Sequence, residues 1–563
     1  MDRDTRRLIE EYRRNEAGEI ENNLIDELVA GELDRQEFLR RAALFGLGAG
    51  TVGALLRYVG EGDLAFGATL APAKIGGTLR VGTVAYNSSL EPYGLREAGS
   101  LGLSGLPGEY LTYTNNNFQV KPSLATSWKP NKALTVWTFQ IRKGVKFHNG
   151  KTLTADDVVA SFKQYLNQKT SQILAALPPE MIDPSGVVKK GRYTVEFHLK
   201  SPNNAFPYLV SQTTYQAIIQ PAAIAAKPDT WVSSGMIGTG AFRLKSQNKQ
   251  RAELVRFNGY WGGKAPLDRV VITFYSDPSP MVLALRAGQL DLVVQMSPQQ
   301  ARAFRNSSKY RVYTVPVSSH NMFGLRVDTD PFKDARVRRA IALTLNRPDL
   351  INRILNGAGA LGNDSPFFPR FQSTARPIPQ RKQNIAQAKA LLKAAGREDL
   401  KFTITTHNQF DVPDYAAAVQ AAGRQAGISI DLDIMTYDDY YAAVGGGDYA
   451  TTTPWLNKPA TITEYGARGA PNAYITAAYM SNGIWNASRY SNNAFDAAAR
   501  SYLASADFKT QRKYTKAMQA MLLRDTPVIT AYFLAFTAAS STRVRNYQAD
   551  PISQIRVAKT SLA

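Results

Sequence analysis

Gly144, Gly150, Lys151 and Thr152 stand in the string GVKFHNGKT, in which five residues separate the two glycines. A phosphate-binding loop, G-x-x-x-x-G-K-[ST], has four. That loop aims backbone N–H groups at an anion from a tight turn and opens a helix at its Lys-Ser/Thr pair, so one extra residue breaks the geometry. Val145 and Phe147 instead alternate with Lys146 and His148 as in an extended strand, and Asn149-Gly150 suits a turn. The helix is expected later, with Thr154 as N-cap, Asp157 in capping-box register and Val158, Val159 and Phe162 on the buried face. The paired carboxylates Asp156 and Asp157 therefore read as helix-start chemistry, and His148 as a locally bonded side chain beside the turn. Nucleotide hydrolysis is not implied.

Other catalytic patterns are missing. The sequence has no cysteine, which removes disulfides, thiolate metal sites, a cysteine nucleophile and a lipidated cysteine anchor. Its four histidines, His148, His198, His320 and His407, are dispersed, with no i, i+4 pair for zinc. Neither G-x-S-x-G nor H-E-x-x-H occurs. The string GAGTVG at 48–53 matches a dinucleotide fingerprint formally, but no strand precedes it and no acidic ribose-binding partner follows at the expected distance.

The elements that position any site fall into three stretches. In the first, residues 1–73, a charged segment runs into 15 uncharged residues, Ala42–Leu56. A bilayer span needs about 20 apolar residues. The run fits the apolar core of an export signal instead. Asp34 to Arg40, DRQEFLR, resembles the twin-arginine pattern S/T-R-R-x-F-L-K, with Gln36 in place of the second arginine. Ala71 and Ala73 around Pro72 offer a processing site. The net charge is +21, and since residues 1–41 hold eight basic and twelve acidic side chains, the remainder carries +25. Its basic residues are scattered, which is a solvated surface rather than a nucleic-acid stripe.

From Gly77 onward the strings GGTLRVGTV, LTVWTFQIRKGVKF, RYTVEFHL, GAFRLKS and DRVVITFY alternate as strands. The later chain changes rhythm. Ile385–Ala395 is spaced as a helix, LKFTITT as a strand, Tyr415–Ala426 as a helix and ISIDLDI as a strand, an order that predicts a parallel, helix-covered sheet. In DARVRRAIALTL, Asp334 is expected to cap a helix that buries Val337, Ala340, Ile341 and Leu345 and turns its arginines to water. Two α/β lobes are expected, with the seam near Gln295–Pro298 and a ligand crevice between them.

Several blocks carry a resemblance to the bacterial extracellular solute-binding proteins of family 5, the peptide- and nickel-binding proteins of ABC importers. LATSW at 124–128 with TFQIRKGVKFHNGKTLTADDVVASF at 138–162 resembles the family hallmark. GTGAFRL at 238–244 with RFNGYWGGKAPLDRVVITFY, ALRAGQLDLV at 284–293 and DPFKDARVRRAIALTLNRPDLINRILNGAG at 330–359 follow in family order. The resemblance covers about 76–560. It implies a two-lobe, α/β periplasmic-binding-protein fold of type II, with lobe I over 74–295, lobe II over 296–527 and a return to lobe I over 528–563. It also implies no catalysis and no cofactor. A small-molecule or peptide ligand would close the lobes of an exported monomer, which then docks on a permease with ATPase subunits. The alternatives are an exported hydrolase and a basic, surface-bound scaffold or chaperone.

In peptide-binding relatives a W-x-x-D-Y-x-x-P stretch supplies an aspartate for the ligand's amino group. The counterpart taken here is PWLNKPATITEY, with Trp455 in place and Lys458 at the aspartate position, beside Asn457. A lysine there favours an anionic ligand. Glu464, six residues on, is an alternative amine partner. Tyr86 and Tyr110 of the first lobe, Asn321 in NMFGLRV, and Trp485 with Asn486 complete the candidate contacts, because aromatic and amide groups give contact area and directional hydrogen bonds.

Overall fold

The computed structural model describes residues 75–563, apart from 168–176, 178, 228 and 447, and of the preceding chain only Arg13, Asn22 and Ile25. The expected export segment, with the DRQEFLR motif, the Ala42–Leu56 run and the Ala71–Ala73 processing site, lies outside the described residues. No helix among the described residues is long and apolar enough to cross a membrane.

Strand β1 (Thr78–Val84) opens the described chain, followed by β2 (Ala125–Pro130) and β3 (Val136–Ile141). Gly144 and Gly150 both take positive φ, 79° and 83°, which explains why glycine stands at each turn. Helix α1 (Ala155–Tyr165) then begins at the expected capping box, with Thr154 N donating to Asp157 Oδ2 at 2.8 Å. Strands β4 (Val187–Gly191) and β5 (Thr194–His198) complete an antiparallel sheet in the order β2-β3-β5-β4. His148 bonds locally as expected: its backbone N donates to Gly238 O at 2.9 Å, and Nε2 lies 2.9 Å from Gly240 O. That contact ties the GVKFH block to the GTG block. A Cβ on Gly238 would sit 1.9 Å from Pro107 O, so only glycine permits the backbones to approach here. Likewise Tyr260 and Trp261 of the YWG block both donate to Glu109, at 3.0 and 2.7 Å.

Strands β6 (Phe242–Gln247), β7 (Arg251–Arg256) and β8 (Arg269–Tyr275) form one end of the main sheet, and β9 (Leu292–Val293) lies parallel to β1. The next strand, β10 (Tyr310–Leu325), is 16 residues long. Helices α2 (Ala335–Leu343), α3 (Arg347–Leu355) and α4 (Ile385–Ala394) lead to β11 (Lys401–His407), α5 (Val412–Gln425), β12 (Ser429–Met435), α6 (Tyr437–Tyr441) and β13 (Ala460–Tyr465). The long helix α7 (Phe508–Asp525) precedes β14 (Tyr532–Ser541). The strand order is β12-β11-β13-β10-β14-β9-β1-β8-β7-β6, with β11 parallel to both β12 and β13, as the strand–helix–strand rhythm requires.

β10 and β14 run through both halves of this sheet. One core contains Leu79, Phe139, Phe162 and Ile272 and takes Val315 and Val317 from β10 and Phe536 and Ala538 from β14. Beyond them Phe323 and Tyr532 join a core with Ile404, Tyr415 and Ile462, while Met322 and Phe533 join another with Tyr465 and Tyr474. Both strands thus change core at one level. There the pairing breaks: Pro316 faces Ala535 but His320 faces Phe533, so Val317, Ser318 and Ser319 oppose Leu534 alone. The change of core falls some way along the chain from the expected seam at Gln295–Pro298, because a single strand carries the chain past it.

One expectation needs correction. Asp334 caps α2, accepting from Arg336 N at 2.7 Å, and Arg336 is exposed, but Arg338 does not face water. It is 5% exposed and donates to the carbonyls of Phe332, Lys333, Asp525 and Thr526. The last turn of α7 ends in unpaired carbonyls and the negative end of a helix dipole, and a guanidinium satisfies both.

Candidate functional site

In an open α/β sheet the crevice beyond the carboxyl ends of the strands collects ligands, because loops and helix starts converge there. The carboxyl ends of the parallel strands β11, β12 and β13 are followed by Phe410-Asp411, by Tyr437 on α6, and by the loop Gly466–Pro471. Glu464 lies in the last turn of the pleat of β13, directly opposite Asn321 of β10.

Asn321 is 1% exposed and donates through Nδ2 to Asp411 Oδ2 at 2.8 Å and to the Tyr532 hydroxyl at 3.3 Å. Tyr532 donates to the same Asp411 oxygen at 2.7 Å. Asn321 Oδ1 is buried and has no partner among the described residues. Burial raises the pKa of Asp411, opposed by those two hydrogen bonds. Glu464 keeps part of its surface in solvent although it lies deep in the crevice, and no described residue hydrogen-bonds to its carboxylate. Burial pushes its pKa up to about 7, helped by the Asp411 charge and opposed by Arg468.

Aromatic rings flank these carboxylates. His407 is the hub, with ring centroids 5.2 Å from Tyr437, 5.3 Å from Tyr440, 5.8 Å from Tyr441 and 6.4 Å from Phe410. Burial lowers its pKa to about 4, so the ring is neutral. Phe410 is 65% exposed with φ of 59°. A bulky residue held in left-handed backbone with its ring in water is a strained arrangement of the kind that gathers at binding sites. The Tyr437 hydroxyl feels the charges of Glu464 and of Arg96, which belongs to the first core's side of the molecule.

The loop after β13 spans the same junction. Arg468 N donates to Ser318 Oγ at 2.8 Å, and Ser318 Oγ donates back to Arg468 O at 2.8 Å, inside the register break of β10. A Cβ on Gly469 would meet Tyr208 and Thr213 at 2.8 and 2.9 Å.

Among the residues expected from sequence, Asn321 and the alternative amine partner Glu464 sit within this group of acceptors. Trp485 is partly exposed, and its ring lies 6.1 Å from that of Tyr465, the neighbour of Glu464. Tyr86 follows the carboxyl end of β1 but is buried against Phe274, its hydroxyl donating to Gln247 Oε1 at 3.2 Å. Tyr110 spends its hydroxyl on Tyr215 O and Gln554 inside the first core. Trp455 is buried and backs Tyr441 at 5.7 Å. Asn457 is bonded to Thr453 O and Arg489, and Asn486 to Met480 O and Tyr490 O. Lys458 is exposed two residues before β13 begins, at the end of the strand away from its carboxyl end, roughly 20 Å off at the rise of a strand.

Laid on Pro471 instead of Trp455, the motif W-x-x-D-Y-x-x-P puts Glu464, Ala467 and Arg468 at its tryptophan, aspartate and tyrosine positions. Asp411, Tyr437, Phe410 and Arg468 were missed from sequence. Their common signal is position just after a strand of the parallel set.

A sheet of this order, with one core on one side of a two-strand junction, two on the other and a polar crevice at the join, defines a two-lobed binding protein. Residues 119–474 match the model of the bacterial extracellular solute-binding proteins, family 5 (middle region), and the chain belongs to that family, whose members bind solutes rather than transform them. It is similar to the nickel-binding protein NikA of Staphylococcus aureus, 25% identical over 79% of this chain and 86% of the relative. It is also similar to the periplasmic oligopeptide-binding protein OppA of Haemophilus influenzae, 26% identical over 73% and 80%. The solved structure of HbpA2 from Haemophilus parasuis shares the fold at a TM-score of 0.75 and 21% identity, covering 86% of this chain and all of that one.

Proposed function

We propose that the protein captures a small solute outside the cytoplasm between its two lobes and delivers it to the membrane permease of an ABC importer. The observation that carries the reading is the pair of strands, β10 and β14, that change core together where β10 has three residues against one. Two connecting strands with a local register break make a hinge, since backbone rotation there moves whole cores while their packing is kept. In this reading lobe I comprises the chain from Ile75 to about Val317 together with the segment from about Phe536 onward, and the intervening chain forms lobe II. A solute holds the lobes shut only through contacts made to both at once, because a ligand of equal affinity for open and closed forms shifts nothing. Glu464, Arg468 and Tyr437 on one side and Arg96 on the other are suited to such bridging. Relatives named for nickel and for oligopeptides support a small solute, and a relative named as an ABC transporter peptide-binding protein supports a permease with ATPase subunits as its partner.

The test is native mass spectrometry of gently purified protein. A single adduct of small mass, released on denaturation and replaceable by an added solute, is the expected result. Protein that carries no adduct and gains none from extracts of the medium would count against solute capture.

A further inference from the structure

We propose that the turn carrying Phe118 and the loop Asn203-Asn204 form a latch between the lobes, which populates the closed form before any solute arrives. The inference goes beyond solute capture but rests on the two-lobe reading and on the hinge at the β10–β14 junction. None of its groups belongs to the crevice around Glu464.

Phe118 has its backbone in one lobe and its ring in the other. It sits in the turn of a short hairpin, Thr112–Thr114 paired with Val120–Pro122. Groups of lobe I fix that turn: Asn115 Oδ1 accepts from Asn117 N and Gln119 N at 3.0 and 2.9 Å, Asn116 Nδ2 donates to Ala549 O at 3.2 Å, and the Tyr208 hydroxyl donates to Phe118 O at 2.8 Å. The ring belongs instead to the lobe II core that contains Tyr465, Tyr474 and Phe533. Its centroid lies 5.2 Å from that of Phe368 and 5.3 Å from that of Phe371, both edge to face, and the residue is 4% exposed. Its φ of 57° costs a bulky side chain energy and persists where surrounding contacts impose it. Separating the lobes returns this ring to water and breaks both aromatic pairs.

The second contact is a helix cap made across the junction. The last carbonyls of a helix take donors from outside it. At the end of the lobe II helix Asn493–Leu503, Asn204 of lobe I supplies two, its backbone N to Leu503 O at 3.1 Å and its Nδ2 to Tyr502 O at 2.6 Å. Across the same gap Asn472 Nδ2 of lobe II donates to Asn203 Oδ1 and Asn204 Oδ1 at 3.0 and 2.9 Å, and the Tyr502 hydroxyl holds Asn472 by donating to its Oδ1 at 3.0 Å. Gly469, three residues before Asn472, approaches Tyr208 so closely that there is no room for a methyl group. Opening lets water reach these amides, which offsets most of what they lose. Nothing offsets the exposure of the phenyl ring. The ring is therefore the larger contribution, and the amides fix how the lobes meet.

Both contacts are made in a form whose crevice is narrow enough for the Tyr437 hydroxyl of lobe II to feel the charge of Arg96 of lobe I. They thus stabilise closure without touching a solute. Apparent affinity scales with the fraction of protein in the binding-competent form, so such a latch tightens every ligand by one common factor and leaves preference among ligands unchanged.

Electron paramagnetic resonance distances test this. The chain has no cysteine of its own, so nitroxides on Lys129→Cys of β2 and Lys389→Cys of α4, both exposed positions, report the separation of the lobes. Protein stripped of solute in urea and refolded should give two distances, and Phe118→Ala should lower the ratio of the short to the long one on the order of 10- to 100-fold. Asn204→Ala leaves the apolar packing in place and should lower the ratio about 2- to 10-fold. It decides the matter alone if Phe118→Ala fails to fold. A single long distance in the wild-type protein would overturn the latch, because the lobes then do not close unaided. A ratio that ignores Phe118→Ala in folded protein would overturn it too, because the hairpin then travels with lobe II. Native mass spectrometry reports on solute capture separately: if the protein carries an adduct, those results remove the latch alone, whereas one unvarying distance in a protein that carries none removes the two-lobe reading as well.

Discussion

Asp364→Ala should destabilise the protein by about 3–5 kcal/mol, the cost typical of breaking a buried ion pair from one side. Asp364 is wholly buried between two arginines, with Oδ1 2.7 Å from Arg347 Nη2 and Oδ2 2.6 Å from Arg381 Nε. Arg347 is 1% exposed, and its remaining contacts are weak: Nη1 reaches Ala342 O at 3.4 Å and Arg381 O at 3.2 Å, and Nε has no partner among the described residues. Removing the carboxylate therefore strands a cation that cannot reach water. Arg381 loses less, because it also donates to Thr526 Oγ1 at 3.0 Å and to Leu523 O. Asp364→Asn keeps the shape but not the charge and should fall between wild type and Asp364→Ala. Joint replacement of Arg347 and Asp364 by Met and Leu should be milder than Asp364→Ala alone, since no uncompensated charge remains. Urea denaturation followed by near-UV circular dichroism measures the series. A single-site loss under about 1 kcal/mol, or a double variant worse than Asp364→Ala, would refute the account of this triad.

Arg338→Met should be the next most damaging change, at about 2–4 kcal/mol, given that net contributions of bonds to charged groups run near 1.5–3 each and are not additive. The side chain joins α2 to the end of α7 through Nε to Asp525 O and Thr526 O, at 3.0 and 3.1 Å, and through Nη1 to Lys333 O at 3.0 Å. Methionine fills most of the volume, so the loss isolates the carbonyls left without donors. Arg338→Lys should recover only part, because an ammonium cannot present the planar fork that reaches both helix ends. Thermal unfolding of the three proteins gives the order wild type, Lys, Met. Equality of Lys with wild type would mean that charge alone, and not the fork, holds the two helices together.

The sequence was legible wherever a local rule governed the outcome. The capping box at Thr154, the strand–helix–strand run that became β11, α5 and β12, and the Asp334 cap of α2 each depend on neighbours within a few residues, and each formed within about three residues of its expected bounds. Family order in the blocks supplied the architecture that periodicity could not. What local rules cannot reveal is how distant segments meet. β10 alternates like any strand, and nothing in its composition tells that its first half packs on Leu79 and its second on Ile404. Arg338 sits one residue from the buried Val337, and only the arrival of α7, almost 190 residues later, decides that it points inward.

The site was half legible for the same reason. Glu464 was visible as a lone carboxylate in the apolar alternation of ATITEY, and Asn321 as an amide in NMFGLRV. Asp411 precedes the helix expected from Tyr415 and is the N-cap of α5, and its neighbourhood became apparent only when β10 brought Asn321 and β14 brought Tyr532 beside it. Anchoring the aspartate motif on Trp455 drew attention to Lys458. Anchoring it on Pro471 would have drawn attention to Arg468.

Small-angle scattering with and without a saturating solute tests the central claim most directly. Closure about the β10–β14 junction predicts a smaller radius of gyration in the bound protein, with unchanged mass and a single transition at the binding stoichiometry. A solute that saturates the protein by calorimetry yet leaves the scattering curve unaltered would contradict it.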